Sequence, residues 1–215
     1  MIRIENITVE KGGKAIFSGL NFHIHSGDHI LISGRSGAGK STLLKTILLF
    51  EVLQSGSIIL KDEVVDGVNV EQFRRQIGYI GQKAPHYDGT VREFLELPFS
   101  FKANADLIKP TSDDIDRLCQ QFSFEQSPFD QPYSSLSGGE QQRISIVQAL
   151  LIDRPIYLLD EVTASLDPTN TRKVVDYICG MKDKTVLVVS HDPEWRGAVS
   201  KVVHVDKGIL KEASQ

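Results

Sequence analysis

The amino-acid sequence predicts an α/β fold in which parallel strands form the core and a smaller helical lobe is inserted between them. Three observations support this prediction. Apolar runs at 156–159 and 186–189, and a mainly apolar one at 202–205 that includes His204, are typical of strands that are buried on both faces. A glycine-rich loop at 34–41 joins an apolar run to a helical pattern. The middle of the chain, roughly 83–150, is more polar and follows a helical periodicity.

The N-terminal part of the chain predicts strands of another kind. Apolar residues alternate with polar ones in 1–33 and 57–62, which is typical of strands with one face in the core. Gly-Asp at 27–28 and Gln-Ser-Gly at 54–56 are plausible turns between them. We therefore expect antiparallel strands to flank the parallel part of the core.

The glycine-rich loop predicts that the chain binds a nucleoside triphosphate. Its residues, Gly-Arg-Ser-Gly-Ala-Gly-Lys-Ser, fit the phosphate-loop pattern G-x-x-x-x-G-K-S. The glycines allow a tight turn with inward N–H groups, and the helix N-terminus adds partial positive charge. We expect Lys40 to reach the β- and γ-phosphates and Ser41 to bind Mg²⁺. The predicted nucleotide contacts are Gly34, Arg35, Ser36, Gly37, Ala38, Gly39, Lys40, Ser41 and Thr42.

A second segment at 136–140, Leu-Ser-Gly-Gly-Glu, also places small residues at the start of a predicted helix. A serine followed by two glycines favours an anion-binding helix N-terminus, although alone it also fits an ordinary cap. The pairing of this segment with the phosphate loop resembles the ATP-binding-cassette (ABC) ATPases, whose signature motif is this stretch. The resemblance runs from Ile2 to about Leu210, and it implies that Ser137, Gly138 and Gly139 also contact nucleotide.

The resemblance also assigns roles to four residues that follow apolar runs. Asp160 matches the aspartate that holds Mg²⁺ opposite Ser41, and Glu161 matches the general base that polarises the attacking water. Gln82 matches a glutamine that ligates Mg²⁺ or that water, and His191 matches the histidine that touches the γ-phosphate. The implied catalytic residues are thus Glu161, His191 and Gln82, and the implied metal ligands are Ser41, Gln82 and Asp160.

The nucleotide base has no aromatic partner at the position where the family usually supplies one. The matching segment starts at Ile7, and Lys11 or Val9 falls at the expected place. The stem of Lys11 could pack on the purine and replace part of the stacking energy. We therefore expect weaker ATP binding than in relatives with an aromatic residue, and poor discrimination against GTP.

The resemblance implies a RecA-like P-loop NTPase core with an inserted helical subdomain. Residues 1–215 would be a single ABC ATPase domain. Within it, 1–82 and 151–215 would form the RecA-like and antiparallel core, and 83–150 the helical subdomain with the signature motif. In this family two chains associate head to tail, with two ATP molecules between each phosphate loop and the partner's signature. ATP and Mg²⁺ are the implied cofactors, and a homodimer on ATP binding is the implied assembly.

Composition limits the partners of the chain. A net charge of −4 and a pI near 5.9 provide no basic stripe, which argues against nucleic-acid binding. The two cysteines are far apart and fit a reducing compartment rather than a disulfide framework. No apolar run approaches the roughly 20 residues that span a bilayer. We expect a cytoplasmic protein that sits peripherally on the cytoplasmic face of the inner or plasma membrane.

The family resemblance predicts an integral membrane permease that docks near residues 83–99, with Tyr87, Phe94, Leu97 and Phe99 close by. These aromatics could equally pack the small lobe. The predicted function is the ATP-hydrolysing subunit of an ABC transporter. The run 89–99 resembles the short Fet-type iron-efflux ATPases, which suggests metal efflux. An ABC ATPase of a non-transport membrane complex, in cell division or lipoprotein release, stays open. A soluble DNA-repair ATPase is disfavoured because heptads and cysteine pairs are missing.

Overall fold

The computed structural model describes residues 1–124 and 129–212, in which two sheets are flanked by helices. Residues 125–128, inside the predicted helical subdomain, and 213–215 lie outside the described residues. The smaller sheet is antiparallel, in the order β2-β1-β4-β5. Its strands are β1 (Ile2–Lys11), β2 (Lys14–Ile24), β4 (Leu53–Leu60) and β5 (Glu63–Val64).

The larger sheet has the order β10-β9-β3-β8-β7-β6. All neighbouring strands in it are parallel except the terminal hairpin of β9 and β10. Every residue of β7 and β8 is buried, which explains their uninterrupted apolar sequences. The strands are β3 (His29–Gly34), β6 (Ile77–Ile80), β7 (Ile156–Asp160), β8 (Thr185–Val189), β9 (Lys201–Asp206) and β10 (Ile209–Glu212).

The larger sheet divides the core into two apolar clusters. Successive residues of a strand point to opposite faces, so Leu158 joins the cluster under the antiparallel sheet while Leu159 joins the cluster under the helices. The first cluster also contains α1 (Lys40–Ile47), which covers the sheet next to β3. Because the same sheet serves both clusters, the ends of its strands are held rigidly from two sides.

Helices fill the described part of the segment between β6 and β7. They are α3 (Val91–Glu96), α4 (Ser112–Gln121) and α5 (Gly138–Ile152). Each begins at a serine or threonine that forms a capping box with an acidic residue three positions later. The other helices are α2 (Val70–Arg74), α6 (Pro168–Gly180) and α7 (Pro193–Ala198). Among the described helices, none is both long and apolar enough to cross a bilayer.

Candidate active site

The phosphate loop connects β3 to α1, and its glycines are required by its geometry. Gly34, Gly37 and Gly39 have φ angles of 145°, 75° and 97°, a region that residues with side chains rarely adopt. A Cβ on Gly34 would lie 2.5 Å from the carbonyl oxygen of Val205, and one on Gly39 would lie 2.8 Å from Cγ2 of Ile16. The loop therefore packs closely between β9 and β2, and a larger residue at Gly34 or Gly39 would clash with these strands.

Lys40 brings a positive charge to this loop. It is 6% exposed, and its Nζ donates hydrogen bonds of 3.0 Å to the carbonyl oxygens of Gly34 and Arg35. Neutral carbonyls leave the full charge of the ammonium uncompensated, so an anion at the loop is favoured. The α1 helix starts at Gly39 without a side-chain cap, so the N–H groups of its first turn add to this preference. Arg35, Ser36 and Gly37 form the exposed rim, and Ala38 and Thr42 are half-buried.

Ser41 and Asp160 meet although they are 119 residues apart in sequence. Ser41 Oγ donates to Asp160 Oδ1 over 2.8 Å, and Asp160 is 4% exposed. The phenol of Tyr79 lies 3.5 Å from the other carboxylate oxygen, and burial with the nearby Asp160 charge raises the pKa of Tyr79 to about 12. Two oxygen donors that converge in this way fit Mg²⁺. Among the described residues, no cluster of three or more His, Cys, Asp or Glu is suited to a metal.

Glu161 stands directly beyond the end of β7 in an unusual backbone conformation. Its φ is 51°, and its N–H donates to the carbonyl of Val189 over 2.8 Å, which fixes that turn against β8. Such conformations in residues other than glycine cluster at functional sites. The side-chain amide of Gln82 donates to Glu161 Oε2 over 2.7 Å. The sequence-predicted pair Gln82 and Glu161 is thus in direct contact.

His191 lies two residues beyond β8, at the same edge of the sheet. Its side chain is exposed and lines a cavity of about 420 Å³ that also contains Gly34 and Arg35 of the phosphate loop. The candidate site therefore lies at the carboxyl ends of β3, β6, β7 and β8. It groups the side chains of Lys40, Ser41, Asp160, Glu161, Gln82 and His191. Ligands of α/β proteins bind at this edge of the sheet.

The signature residues lie elsewhere. Ser137 starts α5, and the Glu140 carboxylate accepts hydrogen bonds from its N–H (2.8 Å) and its Oγ (2.6 Å). These bonds lower the pKa of Glu140. Gly138 faces open space, whereas Gly139 packs against the backbone of Ser165. Within 1–124 and 129–212, no hydrogen bond or ion pair joins Ser137, Gly138 or Gly139 to the phosphate loop.

Lys11 ends β1 and is engaged in an ion pair. Its Nζ lies 3.0 Å from Oε1 of Glu51, and its side chain is 59% exposed. Val9 was the other residue considered for contact with the nucleotide base. It is fully buried in the core, so it cannot make that contact. The ion pair keeps the Lys11 head group on Glu51, while the exposed stem stays available to a base.

Sequence reasoning did not single out Tyr79 and Gln142. Tyr79 reaches Asp160, and Gln142, which is 2% exposed, donates to the Gly81 carbonyl over 3.1 Å. One signal was present for Gln142, since it is a polar residue on the side of α5 where Ser145 and Ile146 are also buried. No periodicity distinguishes Tyr79 from the other residues of its strand.

A separate groove of about 560 Å³ opens between β6 and the helices. Its lining combines apolar surface with cationic side chains, among them Tyr79, Pro98 and Phe101 with Arg75, Lys83 and Arg154. Phe101 is 50% exposed there. Tyr87 and Phe94, for which both groove lining and inward packing were open, pack on Tyr133 inside the helical block.

Comparison with known proteins gives consistent results. The sequence profile described as "ABC transporter" matches residues 17–164. The chain is 30% identical to a probable iron export ATP-binding protein, FetA of Escherichia coli, over 99% of the chain and 95% of that protein. It is 31% identical to the arginine transport protein ArtP of Haemophilus influenzae, over 98% of the chain and 90% of that protein.

Longer relatives and solved structures match as well. The chain spans 29% of the mesentericin-Y105 transport/processing protein MesD of Leuconostoc mesenteroides, and 37% to 38% of two ATP-binding/permease proteins, at 29% to 30% identity. A dimeric, post-hydrolysis structure of the ATP-binding cassette MJ0796 with ADP and Pi superposes with a TM-score of 0.85. That match covers 100% of this chain and 98% of the other at 25% identity.

Proposed function

Since the chain belongs to the ABC transporter family, we propose that it is an ATP-hydrolysing subunit that powers transport through a separate membrane permease. The observation that carries this proposal is the convergence of Lys40, Ser41–Asp160 and Gln82–Glu161 at one edge of the parallel sheet. A phosphate-binding loop, a pair of oxygen ligands and a carboxylate base are the parts that nucleotide hydrolysis needs. The surrounding geometry suggests a role for each of them.

The phosphate loop and Lys40 would hold the β- and γ-phosphates through backbone N–H groups and one buried charge. Ser41 and Asp160 would hold Mg²⁺, which neutralises the charge that develops on the phosphates when it is bound. Glu161 would orient and deprotonate the attacking water once Gln82 releases its oxygen. His191 would contact the γ-phosphate from the side of Gly34.

A second copy of the chain would complete the site. Ser137 and Gly138 are exposed, and Gly138 has free space in front of it, so a partner's γ-phosphate has access to this helix start. A two-fold, head-to-tail dimer gives each phosphate loop such a partner. Two structures of the MJ0796 cassette that are described as dimeric support association of two chains. Hydrolysis removes the bridging phosphate, and the loss of its contacts would loosen the dimer.

The groove beside β6 would receive the permease. Lys83 and Pro98, two residues of the predicted docking segment 83–99, line it together with Tyr79, which also reaches Asp160. Arg75, Lys83 and Arg154 give the groove a positive rim, so a short amphipathic helix with a carboxylate would complement it. This placement would hold the chain at the cytoplasmic face of the membrane.

Sequence similarity to the relatives does not favour one transported substrate over another. Relatives named for iron export, arginine transport and methionine import match at 30% to 31% identity. Metal ions are the substrate class to test first, because segment 89–99 resembles the short Fet-type iron-efflux ATPases. The permease, rather than the ATPase, would set this choice.

An affinity pull-down tests the proposal. Tagged Glu161→Gln protein with ATP and Mg²⁺ is incubated with detergent-solubilised host membranes, and the bound proteins are identified by mass spectrometry. We expect a multi-spanning permease, and we expect Arg75→Glu/Arg154→Glu in the same background to lose it while still binding ATP. Recovery of a single-pass or cell-division protein, or of no membrane protein, would contradict the transporter function.

A further inference from the structure

Gln142 joins the helix that carries the signature to the segment that carries Gln82. It lies in the second turn of α5, and its Nε2 donates to the Gly81 carbonyl over 3.1 Å. Gly81 directly precedes Gln82, whose amide donates to Glu161 over 2.7 Å. A continuous polar path therefore runs from α5 to the candidate base at the end of β7.

The two ends of this path belong to different parts of the molecule. Gln142 is on a helix whose start, at Ser137, would meet the partner's nucleotide. Glu161 is fixed to the parallel sheet through its N–H bond to Val189. The segment between them, Gly81–Gln82, follows β6 and is half-buried to exposed, so fewer neighbours hold it in place. The Gln142 side chain is thus the contact through which a displacement of α5 would reach Gln82.

We propose that Gln142 is a positioning residue for ATP hydrolysis, which ties Gln82 to α5 so that engagement of the signature sets the contact between Gln82 and Glu161. This inference rests on the proposed ATPase function. Gln142 touches a backbone carbonyl rather than the reacting atoms, so its effect would pass entirely through Gln82.

The chemistry of the contact explains the choice of side chain. A neutral amide donates to the carbonyl without placing a charge in a site that is 2% exposed. Methionine has a similar length but no donor, and it would leave the Gly81 carbonyl without this bond. Ionised glutamate has the same shape but only acceptors, and it would repel the carbonyl.

A double-mutant cycle tests the proposal. The kcat and KM for ATP are measured for the wild type, Gln142→Met, Gln82→Ala and the double variant. For Gln142→Met we expect kcat to fall on the order of tenfold with KM unchanged, because small misplacements of positioning groups slow chemistry strongly. In the Gln82→Ala background the same substitution should have no further effect, since both changes remove one pathway.

Gln148→Met is the matched control. Gln148 is also on α5, and its amide donates to the Phe94 carbonyl of the helical block instead of to the Gly81–Gln82 segment. We expect its kcat to stay within twofold of the wild type, and its effect to be the same with and without Gln82. Thermal unfolding of every variant checks that the fold is retained, and Gln142→Glu replaces Gln142→Met if the latter does not fold.

The outcomes separate this inference from the function on which it rests. A loss on Gln142→Met that is equal in both backgrounds indicates general destabilisation and overturns the positioning role. An unchanged kcat in the folded variant overturns it as well. If the wild-type chain does not hydrolyse ATP at all, the proposed function itself is wrong, and this inference fails with it.

Discussion

Two helix starts in this molecule are proposed to bind phosphate, and they differ in what occupies their N-terminal donors. The α1 helix begins at Gly39, whose left-handed backbone has no side-chain cap, next to the buried charge of Lys40. The α5 helix is capped by Ser137, whose own N–H and Oγ both donate to the Glu140 carboxylate. The first start has no side chain on its N–H groups, whereas at the second the Glu140 carboxylate holds Ser137 and leaves Gly138 facing open space.

This difference separates nucleotide binding from hydrolysis. The phosphate loop can bind ATP alone, because its donors are fixed by glycine geometry and by packing on β9. At the signature a γ-phosphate would compete with Glu140 for the Ser137 hydroxyl, and a helix cap contributes only about 1 kcal/mol, so this competition would be overcome easily. We therefore expect a single chain to bind ATP and two chains to be needed for its hydrolysis.

The largest expected effect is a loss of ATP affinity when the phosphate loop at the start of α1 is changed. Lys40→Ala removes the buried positive charge of the loop, and we expect ATP affinity to fall on the order of a hundredfold or more. Lys45→Ala, in the last turn of the same helix, should leave the affinity unchanged, since it lies away from the loop. Titration calorimetry at fixed salt makes the comparison. Equal affinities of Lys40→Ala and wild type would refute the role of the loop.

A smaller effect concerns the base rather than the phosphates. Lys11→Tyr would add an aromatic face at the end of β1, and base stacking contributes roughly 1–3 kcal/mol, so ATP affinity should rise at least severalfold. Preference for ATP over GTP should increase with it. Glu51→Gln disrupts the exposed ion pair without adding a ring and should change little. Calorimetry that shows no tightening for Lys11→Tyr would show that residue 11 does not contact the base.

A substitution of Glu140 should make the start of α5 more accessible to a partner's γ-phosphate. Glu140→Gln keeps the side-chain shape of the capping box but removes the negative charge that competes with a γ-phosphate. Relief of like-charge repulsion of about 0.5 kcal/mol at each of the two sites, about 1 kcal/mol per dimer, would strengthen the ATP-dependent dimer roughly fivefold. Analytical ultracentrifugation in the Glu161→Gln background measures the dimer constant. A weaker dimer would mean that Glu140 assists nucleotide engagement instead.

The smallest effect is on folding. Hydrogen bonds from Ser137 lower the pKa of Glu140 below its ordinary value of about 4.3, so its contribution to stability is present above that value and is lost as the pH falls through the lower, folded-state pKa. The Tm of the wild type should therefore fall by about 2 °C more than that of Glu140→Gln between pH 6 and pH 3. Parallel Tm curves for the two proteins would contradict this assignment.

Sequence patterns predicted the parallel strands, the phosphate loop and the order of motifs because these follow from local rules. The buried runs at 156–159 and 186–189 fall within β7 and β8, and the pattern at 34–41 needs glycines wherever it occurs. The contact of Gln142 with Gly81, by contrast, joins residues 61 positions apart. Such contacts depend on how α5 packs on β6, which periodicity does not encode. The inward packing of Tyr87 and Phe94 was undecided for the same reason.

The central claim is that each hydrolytic site is shared between two chains, and mixing two inactive variants tests it most directly. Glu161→Gln lacks the base but keeps an intact signature, while Ser137→Arg blocks the signature but keeps the base. Each alone should retain about 1% or less of wild-type ATPase activity. In an equimolar mixture, half of the dimers combine the two variants and regain one intact site, so about a quarter of the activity should return. No recovery in a mixture that still forms ATP-dependent dimers would contradict the shared site.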